Sequence, residues 1–184
     1  MTQPRPFCAV FMGLSLDGCI ARTDGGLDWL TGAAEATTEA GPPPEYGYEA
    51  FFASIDVLVL GRKTYETVLG FETWPYGDKR CIVLTHRSVA PRHGEAFFAG
   101  TPADLVAQLA EEGVRRVYVD GGEVVRQFMA ADLIDELTLS IVPVVLGEGR
   151  RLFGPEAGEH RLQLVAVREF PGGMVQVKYA VKRG

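Results

Sequence analysis

The stretch V-Y-V-D-G-G-E-V-V-R-Q-F-M, Val117 to Met129, starts with the pattern of a buried strand and ends with that of a helix. The strand-like part stops at Asp120 and is followed by Gly121 and Gly122. Apolar residues then recur at the spacing of one helical face, at Val124, Val125, Phe128 and Met129. This is the pattern of a β-α unit whose turn exposes bare backbone at the carboxyl end of a strand.

The same alternation extends outward through most of the chain. Strand-type apolar runs are predicted at 7–16, 19–21, 55–60, 80–85, 96–98 and 114–119, with helices at 48–53, 62–69, from 101 and at 123–131. The last three predicted strands, 137–146, 162–170 and 174–181, have no helix between them. Residues 32–47, rich in Gly and Pro, are predicted to form a surface excursion. The fold class is therefore α/β, with a mainly parallel central sheet, flanking helices and antiparallel C-terminal strands.

Length and charge limit the classes of function. A chain of 184 residues fits a single domain over 1–184. The formal net charge of −6 argues against general nucleic-acid binding. No apolar run is long enough to span a bilayer, and the opening residues lack the pattern of a signal peptide. We expect a cytoplasmic protein with no membrane and no nucleic-acid partner.

The three cysteines, Cys8, Cys19 and Cys81, are odd in number and show no C-x-x-C spacing. A disulfide framework and a structural zinc site are both unfavoured by this pattern. We expect three reduced, buried thiols and no bound metal.

Unusual residues follow three of the predicted parallel strands. They are Gly61-Arg62-Lys63-Thr64, Thr85-His86-Arg87 and Gly121-Gly122-Glu123. Ligands of open α/β sheets bind at this edge, where helix N-termini offer free amides, so a nucleotide pyrophosphate is the natural occupant. The alternative for each segment is a tight βα turn or a solvated basic residue, and the G-x-G-x-x-G fingerprint is not present.

Taken together, the motifs resemble those of the dihydrofolate reductase-like family, in the branch related to the reductase domain of the bifunctional riboflavin-biosynthesis deaminase/reductase. The segments that carry the resemblance are S-L-D-G-C-I-A, V-L-G-R-K-T-Y-E, T-H-R, V-D-G-G-E-V-V-R-Q-F-M and D-E-L-T-L-S-I-V-P-V-V-L-G-E-G-R-R-L-F. The resemblance implies a dihydrofolate reductase-like fold and an NADPH-dependent reductase. The zinc-deaminase signature of the bifunctional enzymes does not occur in the chain.

The resemblance also implies a set of NADPH contacts at the strand ends and at the loop that covers the nicotinamide. The residues that match are Ile20, Ala21, Gly61, Arg62, Thr64, Thr85, His86, Arg87, Gly121, Gly122, Glu123 and Val124. In the family, the G-R-x-T segment contacts phosphates and the T-H-R strand end lies near the adenosine 2′-phosphate. The glycine pair lies against the pyrophosphate, and Ile20 and Ala21 match the covering loop.

Three further residues are candidates on the substrate side. Asp17, at the end of the first strand, is the candidate catalytic residue, and a simple hairpin turn is its alternative. Ser140 resembles the family's substrate-facing hydroxyl, although buried serines usually satisfy a neighbouring group. Glu49 lies near the helix that carries an acid in dihydrofolate reductases. The segment Gly147–Arg151 would bind a substrate phosphate or form a solvated loop.

The leading functional hypothesis is hydride transfer from NADPH to a small heterocyclic or carbonyl substrate, with a ribosylaminopyrimidine suggested by the riboflavin branch. The alternatives are a nucleotide-binding module of the same fold without turnover, and a dihydrofolate reductase. The apolar C-terminal strands end the sheet, which predicts a homodimer.

Overall fold

The computed structural model describes residues 4–30, 45–87 and 90–183. Its strands are β1 (Phe7–Ser15), β2 (Cys19–Ala21), β3 (Val57–Gly61), β4 (Arg80–Leu84), β5 (Ala96–Phe98), β6 (Arg116–Asp120), β7 (Glu136–Val142), β8 (Arg150–Arg151), β9 (Arg161–Glu169) and β10 (Val175–Lys182). The helices are α1 (Tyr48–Ser54), α2 (Arg62–Val68), α3 (Pro102–Glu111) and α4 (Gly122–Ala130). Short 3-10 turns occur at Pro155–Ala157 and Pro171–Gly173.

Eight strands form one sheet in the order β5-β4-β3-β6-β1-β7-β10-β9. The pairs from β5 to β7 are all parallel, whereas β10 runs antiparallel to both β7 and β9. The predicted fold class is therefore confirmed: the sheet is mainly parallel, and its C-terminal strands are antiparallel. Because β3 lies between β4 and β6, the ends of these three strands form one row.

Both faces of the central strands are buried, as their continuous apolar runs predicted. On β1, Val10 and Met12 face α3 and α4, whereas Ala9 and Phe11 face α1 and α2. Phe128 of α4 is fully buried between the sheet and the helices α3 and α4. The two layers of helices thus fix the strand ends from both sides.

The start of α3 follows its sequence signature. Thr101 accepts a hydrogen bond from the Asp104 amide, the Asp104 carboxylate accepts one from the Thr101 amide, and Pro102 occupies the first turn. This capping box satisfies two amides that the helix itself leaves free.

Two segments have a pairing or a boundary that the sequence did not predict. The short strand β2 pairs with β8 and not with a strand of the main sheet, so Cys19 lies opposite Arg151 and Ala21 opposite Arg150. Strand β7 ends at Val142 and not at Leu146, since Pro143 has no amide to continue the ladder. Most of the predicted 32–47 excursion lies outside the described residues.

Among the described residues, no strand pairs with the outer edge of the sheet at β9. Every residue of this strand is exposed, including its apolar residues Leu162, Leu164, Val165 and Val167. By contrast, Cys8, Cys19 and Cys81 are buried free thiols, as predicted. Within the described ranges, no helix has the length and apolar character needed to cross a membrane.

Candidate active site

A cavity of about 700 Å³ lies at the carboxyl ends of the central parallel strands. Its wall includes eight of the residues predicted to contact a cofactor. These are Ile20, Ala21, Gly61, Thr64, Gly121, Gly122, Glu123 and Val124. The structure therefore brings the covering loop and two of the three predicted strand ends together at one cavity.

The two glycine-containing strand ends interlock. Gly61 precedes α2 and Gly121 precedes α4, with Gly121 at φ 94°. A Cβ added to Gly121 would overlap the hydroxyl of Thr64, and one added to Gly61 would lie 2.9 Å from Val124 Cγ2. Glycine is therefore required at both positions because the two helix starts approach each other closely, whether or not a ligand also contacts them.

This part of the wall presents groups suited to an anion. The amides of Gly122, Glu123 and Val124 lie in the first turn of α4, where a helix provides no partner for them. Thr64 contributes a hydroxyl group, and Lys63 contributes an ammonium group 3.8 Å from the Glu123 carboxylate. The positive end of the helix dipole adds to this field.

Arg62 is placed differently from its neighbours. Its guanidinium pairs with Glu66 one turn along α2, at 2.5 Å, and Arg62 is not part of the cavity wall. Lys63 is the cation of this segment that faces the cavity. A phosphate contact by Arg62 stays a prediction.

The two-stranded ladder of β2 and β8 forms another part of the wall. Arg150 and Arg151 line the cavity beside Ile20 and Ala21, although both arginines are exposed. A Cβ at Gly149 would lie 2.6 Å from the Ala21 carbonyl oxygen, so the ladder is tightly packed. The basic segment is therefore a paired element of the cavity and not a free loop.

The third predicted strand end, Thr85-His86-Arg87, continues the row of strand ends but lies outside the cavity wall. The Thr85 amide donates to the Phe98 carbonyl oxygen at 2.9 Å, and the Thr85 hydroxyl accepts from the Arg87 amide at 3.1 Å. His86 and Arg87 are exposed. Their assignment to the adenosine 2′-phosphate stays a prediction.

Asp17 is occupied in a turn. Its carboxylate accepts hydrogen bonds from the Ser15 hydroxyl at 2.6 Å and from the amides of Leu146 and Gly147 at 3.1 and 2.8 Å. These bonds, led by that from Ser15, lower the pKa of Asp17 to about 2. The residue is not part of the cavity wall. Its catalytic role stays a prediction, and its three hydrogen bonds account for its position without one.

The two predicted substrate-side residues also lie away from the cavity wall. Glu49 is exposed in the first turn of α1. Ser140 is buried on β7, where its hydroxyl accepts from Gln176 Nε2 at 3.0 Å. Substrate binding by either residue stays a prediction.

The cavity wall also contains an acid and two tyrosines that were not predicted from the sequence. Tyr76 donates through its hydroxyl to Asp120 Oδ2 at 3.1 Å, and the Tyr118 hydroxyl donates to the Phe11 carbonyl oxygen at 2.8 Å. All four residues line the cavity. Burial raises the pKa of Asp120, and hydrogen bonds to its carboxylate oppose the shift only in part. The β-strand period places Tyr118 and Asp120 on one face, which was a usable signal.

Comparison with known proteins places the chain in a family. The model of the RibD C-terminal domain matches residues 6–176. A Bacillus subtilis protein, the uncharacterized protein YwjB, is 36% identical over 174 residues, which cover 92% of this chain and 95% of that protein.

Two solved structures show the likeness in three dimensions. A putative riboflavin biosynthesis protein from Shewanella sp. PV-4 is 32% identical with a TM-score of 0.85, covering 96% of this chain and 99% of that one. Dihydrofolate reductase from Enterococcus faecalis, complexed with NADP(H), is 17% identical with a TM-score of 0.65, covering 96% and 97%. The second likeness shows that the fold is that of dihydrofolate reductase.

Proposed function

The chain belongs to the RibD C-terminal domain family, a riboflavin-pathway reductase type, and on that premise we propose that it is an NADPH-dependent reductase of a small heterocyclic or carbonyl substrate. The riboflavin branch favours a ribosylaminopyrimidine as the substrate class. The observation that carries the proposal is the single cavity formed by the starts of α2 and α4 and by β2.

The residues of this cavity fit a dinucleotide. The first-turn amides of α4, the Thr64 hydroxyl and Lys63 would hold the pyrophosphate. Ile20 and Ala21 would cover the nicotinamide. When bound, NADPH supplies the hydride, and the protein orients the reacting groups and excludes water.

The other half of the cavity suits a planar substrate. Its wall includes the aromatic residues Phe11, Tyr76 and Tyr118, and an aromatic lining favours a planar ring. Arg150 and Arg151 lie at the same cavity and would pair with a substrate phosphate. A folate substrate is less well supported, because Glu49 is exposed and lies away from the cavity wall.

Binding and turnover test the proposal separately. NADPH titrated into the wild-type protein should bind, and Lys63→Ala should weaken binding about fivefold, or roughly 1 kcal/mol, as expected for one exposed charge contact. Lys182→Ala, which removes an equally exposed lysine from the end of β10, is the matched control. Oxidation of NADPH should then follow on adding aminopyrimidine or pteridine substrates.

The outcomes separate the alternatives. Binding that responds to Lys63→Ala, without turnover across such a panel, would identify a nucleotide-binding module that lacks the reaction. A wild-type protein that does not bind NADPH would overturn the proposal.

We also propose that the protein is a homodimer formed through β9. Antiparallel pairing of two copies would bring the Arg161 end of each β9 beside the Glu169 end of the other, so both ends of the ladder would gain opposite charges. Val165, the extra residue of the bulge against β10, would lie near the centre of this ladder. The four large apolar residues of β9, which are 39 to 56% exposed, would be covered along the same ladder. A twofold interface of this type is self-complementary.

The dimer is tested by placing like charges at its centre. Val165→Lys puts two lysines opposite each other and should convert a dimer to a monomer in light scattering, at unchanged helix content. Ala107→Lys, which adds the same charge to the exposed face of α3, should stay dimeric. A wild-type monomer at working concentrations would exclude the interface.

A further inference from the structure

One carboxyl group lies among the aromatic residues of the cavity. Asp120 is the last residue of β6 and directly precedes Gly121, where the proposed pyrophosphate wall begins. Tyr118 lies on the same face of the strand, and Tyr76 reaches Asp120 Oδ2 with its hydroxyl at 3.1 Å. Asp120 thus stands where the cofactor half and the substrate half of the cavity meet.

Among the described residues, the titratable groups that interact with Asp120 are uncharged at neutral pH. They are Tyr76, which donates to it, together with Tyr118, Tyr48 of α1 and Cys81 of β4, whose pKa values its charge also raises. Burial raises the pKa of Tyr48 and of Cys81 to about 12, and it also raises the pKa of Tyr76 and of Tyr118. Among the described residues, no cation forms an ion pair with Asp120 that would stabilise its charged form.

The charged residues of the cavity wall are engaged elsewhere. Lys63 pairs with Glu123, and Arg126 pairs with Glu156. Arg150 donates to the Thr23 carbonyl oxygen at 3.3 Å, and Arg151 donates to that of Asp17 at 2.7 Å. Desolvation without a counter-charge favours the neutral form of a carboxyl group.

We propose that Asp120, oriented by Tyr76, is the proton donor of the reduction. The inference rests on the proposed reductase function. With bound NADPH supplying a hydride to the carbon of a substrate C=N or C=O group, the electrons of the π bond would move to the nitrogen or oxygen. That atom takes the carboxyl proton of Asp120, which is left as a carboxylate and regains a proton from water. The net change is the two-electron reduction of the substrate and the oxidation of NADPH to NADP⁺.

The protonation state of Asp120 is measurable without cofactor or substrate. In the infrared difference spectrum of wild type minus Asp120→Asn, we expect the carbonyl band of a neutral carboxylic acid at neutral pH. Tyr76→Phe removes a donor that favours the carboxylate, so the band should persist to higher pH in that variant. A difference spectrum that shows only carboxylate at neutral pH would overturn the proposal.

Turnover gives the second test. Asp120→Asn should lower kcat by roughly 10²–10⁴, the usual contribution of a general acid, and should remove the limb of the pH profile that reports this group. NADPH affinity should stay within about twofold, since the cofactor-holding amides are unchanged. Tyr76→Phe should keep the limb but move it to higher pH.

Failure of this inference differs from failure of the proposed function. If the wild type turns over and Asp120→Asn keeps its kcat and pH profile, the reductase stands and Asp120 is not the donor. If Asp120→Asn raises KM at unchanged kcat, Asp120 binds the substrate as a carboxylate, and the proton-donor role is again excluded. If the wild type reduces none of the substrates, the proposed function fails, and the proton-donor role fails with it even where the infrared band is present.

Discussion

The ends of β6 and β4 carry similar sequence signals but have different structures. At β6, the strand passes directly into α4, and Gly121 is so close to Thr64 that a side chain does not fit. At β4, Thr85 closes a small turn on the Arg87 amide, and His86 and Arg87 remain exposed. We infer that the β6 end forms a rigid wall for the pyrophosphate, which all dinucleotides share. The β4 end would supply exposed positive charges that distinguish one dinucleotide from another.

The largest expected effect comes from filling the β6 end. Gly121→Ala combines a positive φ of 94° with overlap against Thr64 and should cost about 3 kcal/mol or more in unfolding free energy. Gly113→Ala has a φ of 79° but open space around the added Cβ, and should cost only about 1 kcal/mol. Urea unfolding of both variants measures the difference.

A second change sharpens this comparison. Thr64→Ala removes the overlapping hydroxyl, so adding it to Gly121→Ala should restore part of the lost stability. If Gly113→Ala and Gly121→Ala lowered the unfolding free energy equally, the two helix starts would be able to move apart at little cost. The β6 end would then not be rigid.

An intermediate effect is expected at Glu95, which directly precedes β5, the strand paired with β4. Glu95 is buried and accepts hydrogen bonds from the Tyr65 hydroxyl and from the amides of Arg92 and His93, the latter two at 2.7 Å. Glu95→Gln leaves one of these donors facing an NH₂ group and should cost about 2 kcal/mol. Glu111→Gln, at an exposed position of α3, is the control and should be nearly neutral.

The cost of Glu95→Gln should depend on pH. Burial alone would raise the pKa of Glu95, but the hydrogen bonds outweigh it and hold the pKa below its usual range. A lowered pKa in the folded state contributes stability above the unfolded pKa, and this contribution is lost as the pH falls through the folded value. The melting temperatures of the wild type and Glu95→Gln should therefore differ more at neutral pH than at acidic pH, which thermal melts at both pH values would measure.

The smallest effect on the fold, but a selective one on binding, is expected at Arg87. Arg87→Ala should weaken NADPH binding about tenfold, or ~1.4 kcal/mol, and leave NADH binding nearly unchanged, because only NADPH carries the 2′-phosphate. Arg115→Ala removes an exposed arginine from the opposite end of the sheet and controls for net charge. Equal losses for the two cofactors would assign Arg87 to the pyrophosphate or to the fold.

The sequence predicted the architecture well because its strongest patterns are those of burial. Continuous apolar runs located the central strands, and Gly61 and Gly121 marked two ends that do meet at the cavity. Tyr76 was not predictable, since it reaches Asp120 from the irregular segment between α2 and β4. The pairing of β2 with β8 was also missed, because two strands of three and two residues carry almost no periodic signal.

The β2–β8 ladder has an evolutionary consequence. Two contacts hold the turn that leads into β8. The Gly147 amide donates to the Asp17 carboxylate, and Gly149 packs against the Ala21 carbonyl oxygen. Only Glu148 separates the two glycines. Insertions and deletions have no room in such a turn. Relatives that act on different substrates should therefore keep the length of this turn and differ in the side chains at positions 150 and 151. Their substrate preference would then change by substitution and not by insertion or deletion.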